Sequence, residues 1–220
     1  GYTMYWIPFM RWTESGSIEA FPISDTRIWG VLQRIALAYF VSAIMVFYLK
    51  KNHIWIISGM LLVGYWGIMY VFGDYTLENN AVRTLDLFLF GESHLYRGDG
   101  IPFDPDGLLS TLPSIVNVLA GYLLGMYLKS GDLSYEKIAK MSLLGVLLIF
   151  TALSWDWFFP INKKLWTSSY VLLTVGLDLL ILALIIYLTD FSERKWEGRF
   201  FQTFGKNPLA TYLLSEYIAI

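Results

Sequence analysis

Six apolar stretches divide the 220-residue chain, at residues 29–49, 54–72, 108–128, 138–153, 168–188 and 200–220. A helix that crosses a bilayer needs about 20 mostly apolar residues, because each residue rises about 1.5 Å through a hydrocarbon core of about 30 Å. The pattern therefore predicts an all-α, polytopic transmembrane helix bundle of about six spans. The fourth stretch is short for a span, and Gly205, Lys206, Asn207 and Pro208 interrupt the sixth.

The basic residues between the stretches set the expected orientation, since Lys and Arg of short loops are kept in the cytoplasm. Lys50 and Lys51, then Lys129, Lys137 and Lys140, then Arg194, Lys195 and Arg199 fall on one side of the alternating spans. The opposite, non-cytoplasmic side receives residues 1–28, the long segment 74–107 and residues 154–166. That long segment is acidic, with Asp74, Glu78, Asp86, Glu92, Asp99, Asp104 and Asp106 against Arg83 and Arg97. Apolar anchors at 85–90 and 101–103 mark it as a functional loop rather than a disordered linker. Trp6, Trp12, Trp29, Trp155, Trp157 and Trp166 crowd the same side, as an interfacial aromatic belt does.

Composition narrows the function classes. Hydrophobic residues make up 56% of the chain and charged residues 15%, whereas soluble domains carry about a quarter charged residues. Lipid must cover the difference. A net charge of −2 offers no basic field for nucleic acid. The absence of Cys excludes disulfides, thiolate nucleophiles and thiolate-ligated metals. His53 and His94 are the only histidines, too few for a multi-histidine metal site, so no metal is expected. No basic-then-apolar leader precedes the first span, so no signal peptide is expected. The chain reads as one membrane domain, 1–220, that starts partway through a longer bundle.

Ionisable and polar residues inside spans are costly, and each is a candidate for function. Gln33 and Arg34 lie about one turn inside the first span, where Arg34 either snorkels to the interface or binds an anion. Asn117 sits mid-span in the third stretch, placed to hydrogen-bond a neighbouring helix. Gly121 and Gly125 form a small-xxx-small pair there, which predicts close helix packing. Asp178 lies near the middle of the fifth stretch, where a carboxylate either faces the bundle interior or serves proton-coupled transport, and Glu216 raises the same question in the sixth. Outside the spans, His94 follows Glu92, and Asp104 and Asp106 precede the third span as candidate helix caps. Lys163 and Lys164, on the side that should lack basic residues, either bind an anion or pair with the acidic loop.

Five segments carry a family resemblance: Arg27-Ile-Trp-Gly-Val-Leu-Gln-Arg34, Gly91-Glu-Ser-His-Leu-Tyr96, residues 103–111, residues 160–171 and Gly205-Lys-Asn-Pro208. In that order they resemble the heparan-α-glucosaminide N-acetyltransferase family and its bacterial relatives in the transmembrane acyltransferase group. The resemblance implies transfer of an acetyl group from acetyl-CoA, a co-substrate supplied on the cytoplasmic side, to a glucosamine-type amine on the other. It also implies an integral protein of the bacterial inner membrane, and a histidine near a Trp-Asn-Gly run in a segment earlier than any present here. The chain thus corresponds to a C-terminal part of the family's bundle.

Such chemistry needs a base near neutral pKa and donors around a developing oxyanion. His94 is the candidate assisting base. Arg34, Lys163 and Lys164 are candidates for the donor's phosphates or carbonyl, and Asp104, Trp166, Asn207 and Glu216 for the sugar. The alternative reading is a transporter for N-acetylglucosamine-related sugars, suggested by Asn117 and Asp178, although no repeated halves support it. A passive scaffold is the third reading. The expected partners are the lipid bilayer and an amino-sugar glycan, with a homo-oligomer left open.

Overall fold

The structure, a computed structural model, describes residues 10–12, 17–20, 26–191 and 205–219. Two short antiparallel strands, β1 (Met10–Trp12) and β2 (Ile18–Ala20), pair with Met10 opposite Ala20. Helices follow: α1 (Val31–Tyr48), α2 (Lys51–Val71), α3 (Ala81–Phe90), α4 (Thr111–Lys129), α5 (Tyr135–Asp156), α6 (Ser168–Ile186) and α7 (Pro208–Ala219). Five helical stretches are long and apolar enough to cross a membrane, namely α1, α2, α4, α5 and Ser168–Phe191, which extends α6 through a π-helical turn. The expected bundle of about six spans stands. The fourth span is longer than its apolar core suggested, because α5 takes in the polar first turn capped by Ser134, whose hydroxyl accepts from the Lys137 amide at 3.2 Å. In the sixth stretch α7 covers 12 residues, while residues 200–204 and 220 lie outside the described residues, as do Arg194, Lys195 and Arg199.

By contact the chain divides into units 1–180 and 181–220. The second contains the end of α6, the π-helical turn and α7. In the first, α4 packs against both α1 and α2. Ala38, Ile54, Ile115, Leu119 and Leu123 form the core between these three helices. A second core of Tyr65, Met69, Ala81, Val82, Phe103, Phe159 and Leu165 closes the bundle end where α2 finishes and α4 and α6 begin. The outward faces are apolar as well: Phe47, Tyr48, Phe72 and Phe150 are all exposed. Water would reject such faces, and lipid accepts them.

Because lipid tails are as apolar as leucine, helices in a bilayer associate through close contact rather than hydrophobic drive. The close approach in this bundle is at Gly145 of α5 and Gly176 of α6. A Cβ on either would stand 2.8 Å from the other's carbonyl oxygen. The pair expected to pack closely, Gly121 and Gly125, faces open space, with nothing within 4 Å of a Cβ at either position. Spacing along one helix shows where small residues lie, but it does not show whether a neighbour meets them.

Segment 74–107 is more ordered than a loop. It holds α3 and a 3-10 turn, Glu92–His94. Asn80 caps α3 by accepting from the Arg83 amide at 2.8 Å, and its own amide donates to the carbonyls of Thr76 and Leu77. Trp6 and the Trp12 side chain lie outside the described residues, and the tryptophans after them divide in two. Trp157 is 87% exposed, as a belt residue should be, whereas Trp155 stacks edge-on against Trp66 and Trp166 turns into the bundle end. Gly176→Ala is expected to force α5 and α6 apart, cost about 1–3 kcal/mol and lower the thermal unfolding midpoint in detergent. The same change at Gly121 should leave that midpoint in place.

Candidate functional site

The polar residues of the first unit converge where α1, α4 and α6 begin. Arg34, in the first turn of α1, is 5% exposed. Its Nε donates to Ser114 Oγ at 2.7 Å, and Nη1 donates to Asp106 Oδ1 at 3.2 Å and to the Pro105 carbonyl at 3.3 Å. Its Nη2 donates to the Ser110 carbonyl at 3.5 Å. Just before α1, Arg27 grips Asp104 with two donors, Nε to Oδ2 at 2.7 Å and Nη2 to Oδ1, and also reaches Asp106 Oδ2 at 2.9 Å. Two guanidinium groups and two carboxylates thus neutralise one another. In a poorly solvated place such charges are tolerable only because each has a partner.

The quartet sets the conformation of 103–110. Asp104 is fully buried and also accepts from the Asp106 amide at 2.9 Å. Both aspartates are therefore ion-pair partners for arginines 70 and more residues away, rather than the helix caps their position suggested. Sugar contact at Asp104, or phosphate contact at Arg34, would require this set to open.

A carboxylate that sequence reasoning passed over lies beside the quartet. Asp86 of α3 is fully buried, and its Oδ1 accepts from the Leu108 amide at 3.1 Å. Its Oδ2 has no hydrogen-bond partner among the described residues. Gly107 is packed so tightly against it that a Cβ there would lie 2.2 Å from this oxygen. Burial, with Asp104 adding to it against the bond from Leu108, pushes the carboxyl up to about 7. With the arginines committed elsewhere, Asp86 is kept as a neutral acid below that pH.

Trp166 closes the site from α6's side. The Arg34 guanidinium carbon lies 3.8 Å from the centre of its ring, and its Nε1 donates to Asn117 Oδ1 at 3.0 Å. The backbone at Trp166 has φ +50°, a left-handed conformation rare for a bulky side chain. The preceding turn imposes it, with the Thr167 amide donating to the Asn162 carbonyl at 3.2 Å and the Trp166 amide to that of Lys163 at 3.3 Å. Asn117 bridges helices as expected, its amide also reaching Thr174 Oγ1 of α6 at 3.5 Å.

The remaining candidates are spread more widely. His94 is half-buried, and its Nδ1 is 2.8 Å from the Thr26 carbonyl. A carbonyl only accepts, so Nδ1 carries the proton and the neutral ring keeps its lone pair on Nε2. Lys164 pairs with Asp99 of the acidic segment, and Lys163 is exposed. Asp178 is exposed on α6 rather than turned inward. Asn207 is exposed in the second unit, where its carbonyl accepts from the Thr211 amide, and the Glu216 side chain lies outside the described residues.

A cavity of about 420 Å³ enters the first unit from the opposite end. Lys51 and Lys140 stand at its lysine-rich end, and its walls are almost wholly apolar, from α2, α4, α5 and α6. Ser58 lines it with a buried hydroxyl that lacks a hydrogen-bond partner among the described residues. It ends at Leu62, Val116 and Val171, the buried layer against which Trp166 packs.

Fold and site thus define a polytopic helical membrane protein with a charged cluster at one end of the bundle and an apolar cavity reaching toward it from the other. Comparison with known proteins adds a likeness to two enzymes. No family model matches the chain. Two curated relatives are similar to it: heparan-alpha-glucosaminide N-acetyltransferase of Homo sapiens, 26% identical over 243 aligned residues and 85% of this chain, and that of Mus musculus, 27% identical over 247 and 87%. The chain spans 36% and 38% of their lengths. Both relatives support the family resemblance carried by the five motifs.

Asp86 yields a pH prediction. Between an ordinary aspartate value near 4 and about 7, the folded chain holds a proton that the unfolded chain has lost. Stability should therefore fall as pH rises through that window and level off above it. Asp86→Asn keeps an acceptor for Leu108 and removes the titration, so its unfolding midpoint should stay flat over the same range and exceed the wild-type value above pH 7.

Proposed function

We propose that this chain is part of a membrane N-acetyltransferase that moves an acetyl group from acetyl-CoA, supplied on the cytoplasmic side, to an amino sugar on the other side. The observation that carries the reading is the approach of the cavity and the charged cluster to within one apolar layer. Val116 lines the cavity and Ser114 holds Arg34; they lie two positions apart on α4, about 3 Å of rise. The resemblance to two N-acetyltransferases supplies the reaction class. The bacterial inner membrane is the proposed location, from the likeness to bacterial members of the group.

The cavity suits a long, thin donor with an anionic head. Its volume falls within the ~300–1,000 Å³ of ordinary ligand sites. Lys140 is already paired with Glu136 at 2.6 Å, whereas Lys51 makes no ion pair among the described residues and is the free cation for phosphate. Ser58 offers a hydroxyl to a carbonyl or amide partway down. The co-substrate supplies a thioester carbonyl open to attack by an amine.

At the other end the chain's own groups divide the remaining work. His94 Nε2, with its lone pair free, is the candidate to accept the proton that a sugar ammonium must lose. The neutralised quartet holds the 103–110 segment at the bundle end. Trp166 offers an aromatic face beside Arg34.

Intact protein in liposomes, with labelled acetyl-CoA on the lysine side and glucosamine on the other, should place label on the amine. Sugar flux without acetylation would instead favour the transporter reading. His94→Ala should lower transfer at least about tenfold. An unchanged rate would return His94 to holding the Thr26 carbonyl.

A further inference from the structure

We infer that Trp166 is the positioning residue that seals the cavity from the charged end, and that an amine arriving at its ring unseals it. For what passes the seal, the inference rests on the proposed transfer. The seal itself rests on geometry. On one side Trp166 packs against Leu62, Val116 and Val171, where the cavity stops. On the other, its ring faces the Arg34 guanidinium at 3.8 Å.

Three contacts hold the ring in the closed position: the Arg34 stack, the Nε1 bond to Asn117 and an edge-on contact with Tyr170 at 5.1 Å between centroids. The left-handed backbone, φ +50°, is held separately by the turn, through the Trp166 and Thr167 amide bonds. Loss of one ring contact therefore loosens the indole alone and leaves the backbone that presents it in place, so the side chain can exchange one position for another.

The chemistry of the acceptor fits that switch. A sugar amine is a cation until it gives up its proton, and a cation is drawn to the face of an indole. Arg34 occupies that face in the closed state, so an ammonium group arriving at the ring competes with the contact that holds it. A seal released by the acceptor would keep water from a thioester waiting in the cavity and admit the amine when it is present.

The absence of cysteine from this chain makes the seal measurable. Ser58→Cys places a single thiol on the cavity wall. Intact protein, cysteine-free elsewhere, is placed in sealed vesicles of both orientations and treated with a membrane-impermeant thiol reagent. Labelling is expected from the lysine end alone. Trp166→Ala should open a second route and raise labelling from the charged end at least tenfold, leaving the rate from the lysine end unchanged. Trp166→Phe keeps the ring but loses the bond to Asn117, so it should give a smaller rise and provides the test if Trp166→Ala does not fold. Glucosamine on the charged side should raise labelling with Trp166 intact.

Labelling from the charged end with Trp166 in place and no amine present would overturn the seal, as would labelling that neither substitution changes. Insensitivity to glucosamine would overturn release by the amine. No acyl donor enters the experiment, so the seal is judged separately from the transfer: a functioning seal in a protein that never acetylates counts against the proposed reaction alone, and acetylation across an unsealed cavity counts against the seal alone.

Discussion

Arg34 is the residue on which the rest of the bundle end depends. A guanidinium 5% exposed in the first turn of a spanning helix is untenable without partners, since the penalty for burying a lone charge amounts to several kcal/mol. Its partners come from far along the chain. Ser110 and Ser114 lie at the start of α4, Pro105 and Asp106 lie in the segment before it, and Trp166 lies before α6. Satisfying one cation therefore fixes where three helices begin relative to one another. Because Arg27 takes up the other oxygen of Asp106 and both of Asp104, the four charges of this set balance one another.

That closure has a consequence next door. Asp86 lies within reach of Asp104's charge but has no cation of its own among the described residues, where its hydrogen bond is from a backbone amide. The cheapest state for such a group is protonated. The segment 104–110 is thus fastened twice, by ion pairs on the side of α1 and by a neutral acid on the side of α3. Gly107 is the residue small enough to sit between, with Val82 as well as Asp86 closing off the space a side chain would need.

The spans were legible because lipid imposes a composition rule that survives without any knowledge of partners: long apolar runs stand out in a single sequence. Asn117 was legible for the same reason, since an amide in mid-span must find a neighbour, and the structure supplies Trp166 and Thr174. What the sequence hid was pairing. Asp104 looked like a cap because a cap is decided locally, whereas Arg27 lies 77 residues away. The seam at Gly145 and Gly176 was hidden because each glycine stands on a different helix, and no spacing rule along one helix links them. Helix α3 was hidden inside an acidic segment because its inward carboxylate, Asp86, breaks the apolar face that would have announced it. The cavity left no mark in the pattern, since its lining residues are those of any span.

The division between cavity and charged end is maintained mainly by polar contacts, and the medium explains why. In water an apolar layer such as Leu62, Val116 and Val171 would be pressed together by the hydrophobic effect. In a bilayer that drive vanishes, because lipid chains compete on equal terms for the same surfaces. Directional bonds must then hold the layer. Ser168 donates to the Leu62 carbonyl at 2.7 Å, Ser42 donates to that of Ile115 at 3.4 Å, and Asn117 holds the indole that backs Val116. The two serine bonds each join two helices at the depth of the layer or one turn from it, and the Asn117 bond ties α4 to the turn before α6. A wall built from directional contacts has discrete closed and open states, because a hydrogen bond or a stack is either made or exchanged for another. A purely apolar wall would instead yield gradually. Trp166 belongs to the first kind, as its ring serves the stack, the hydrogen bond and the apolar packing at once.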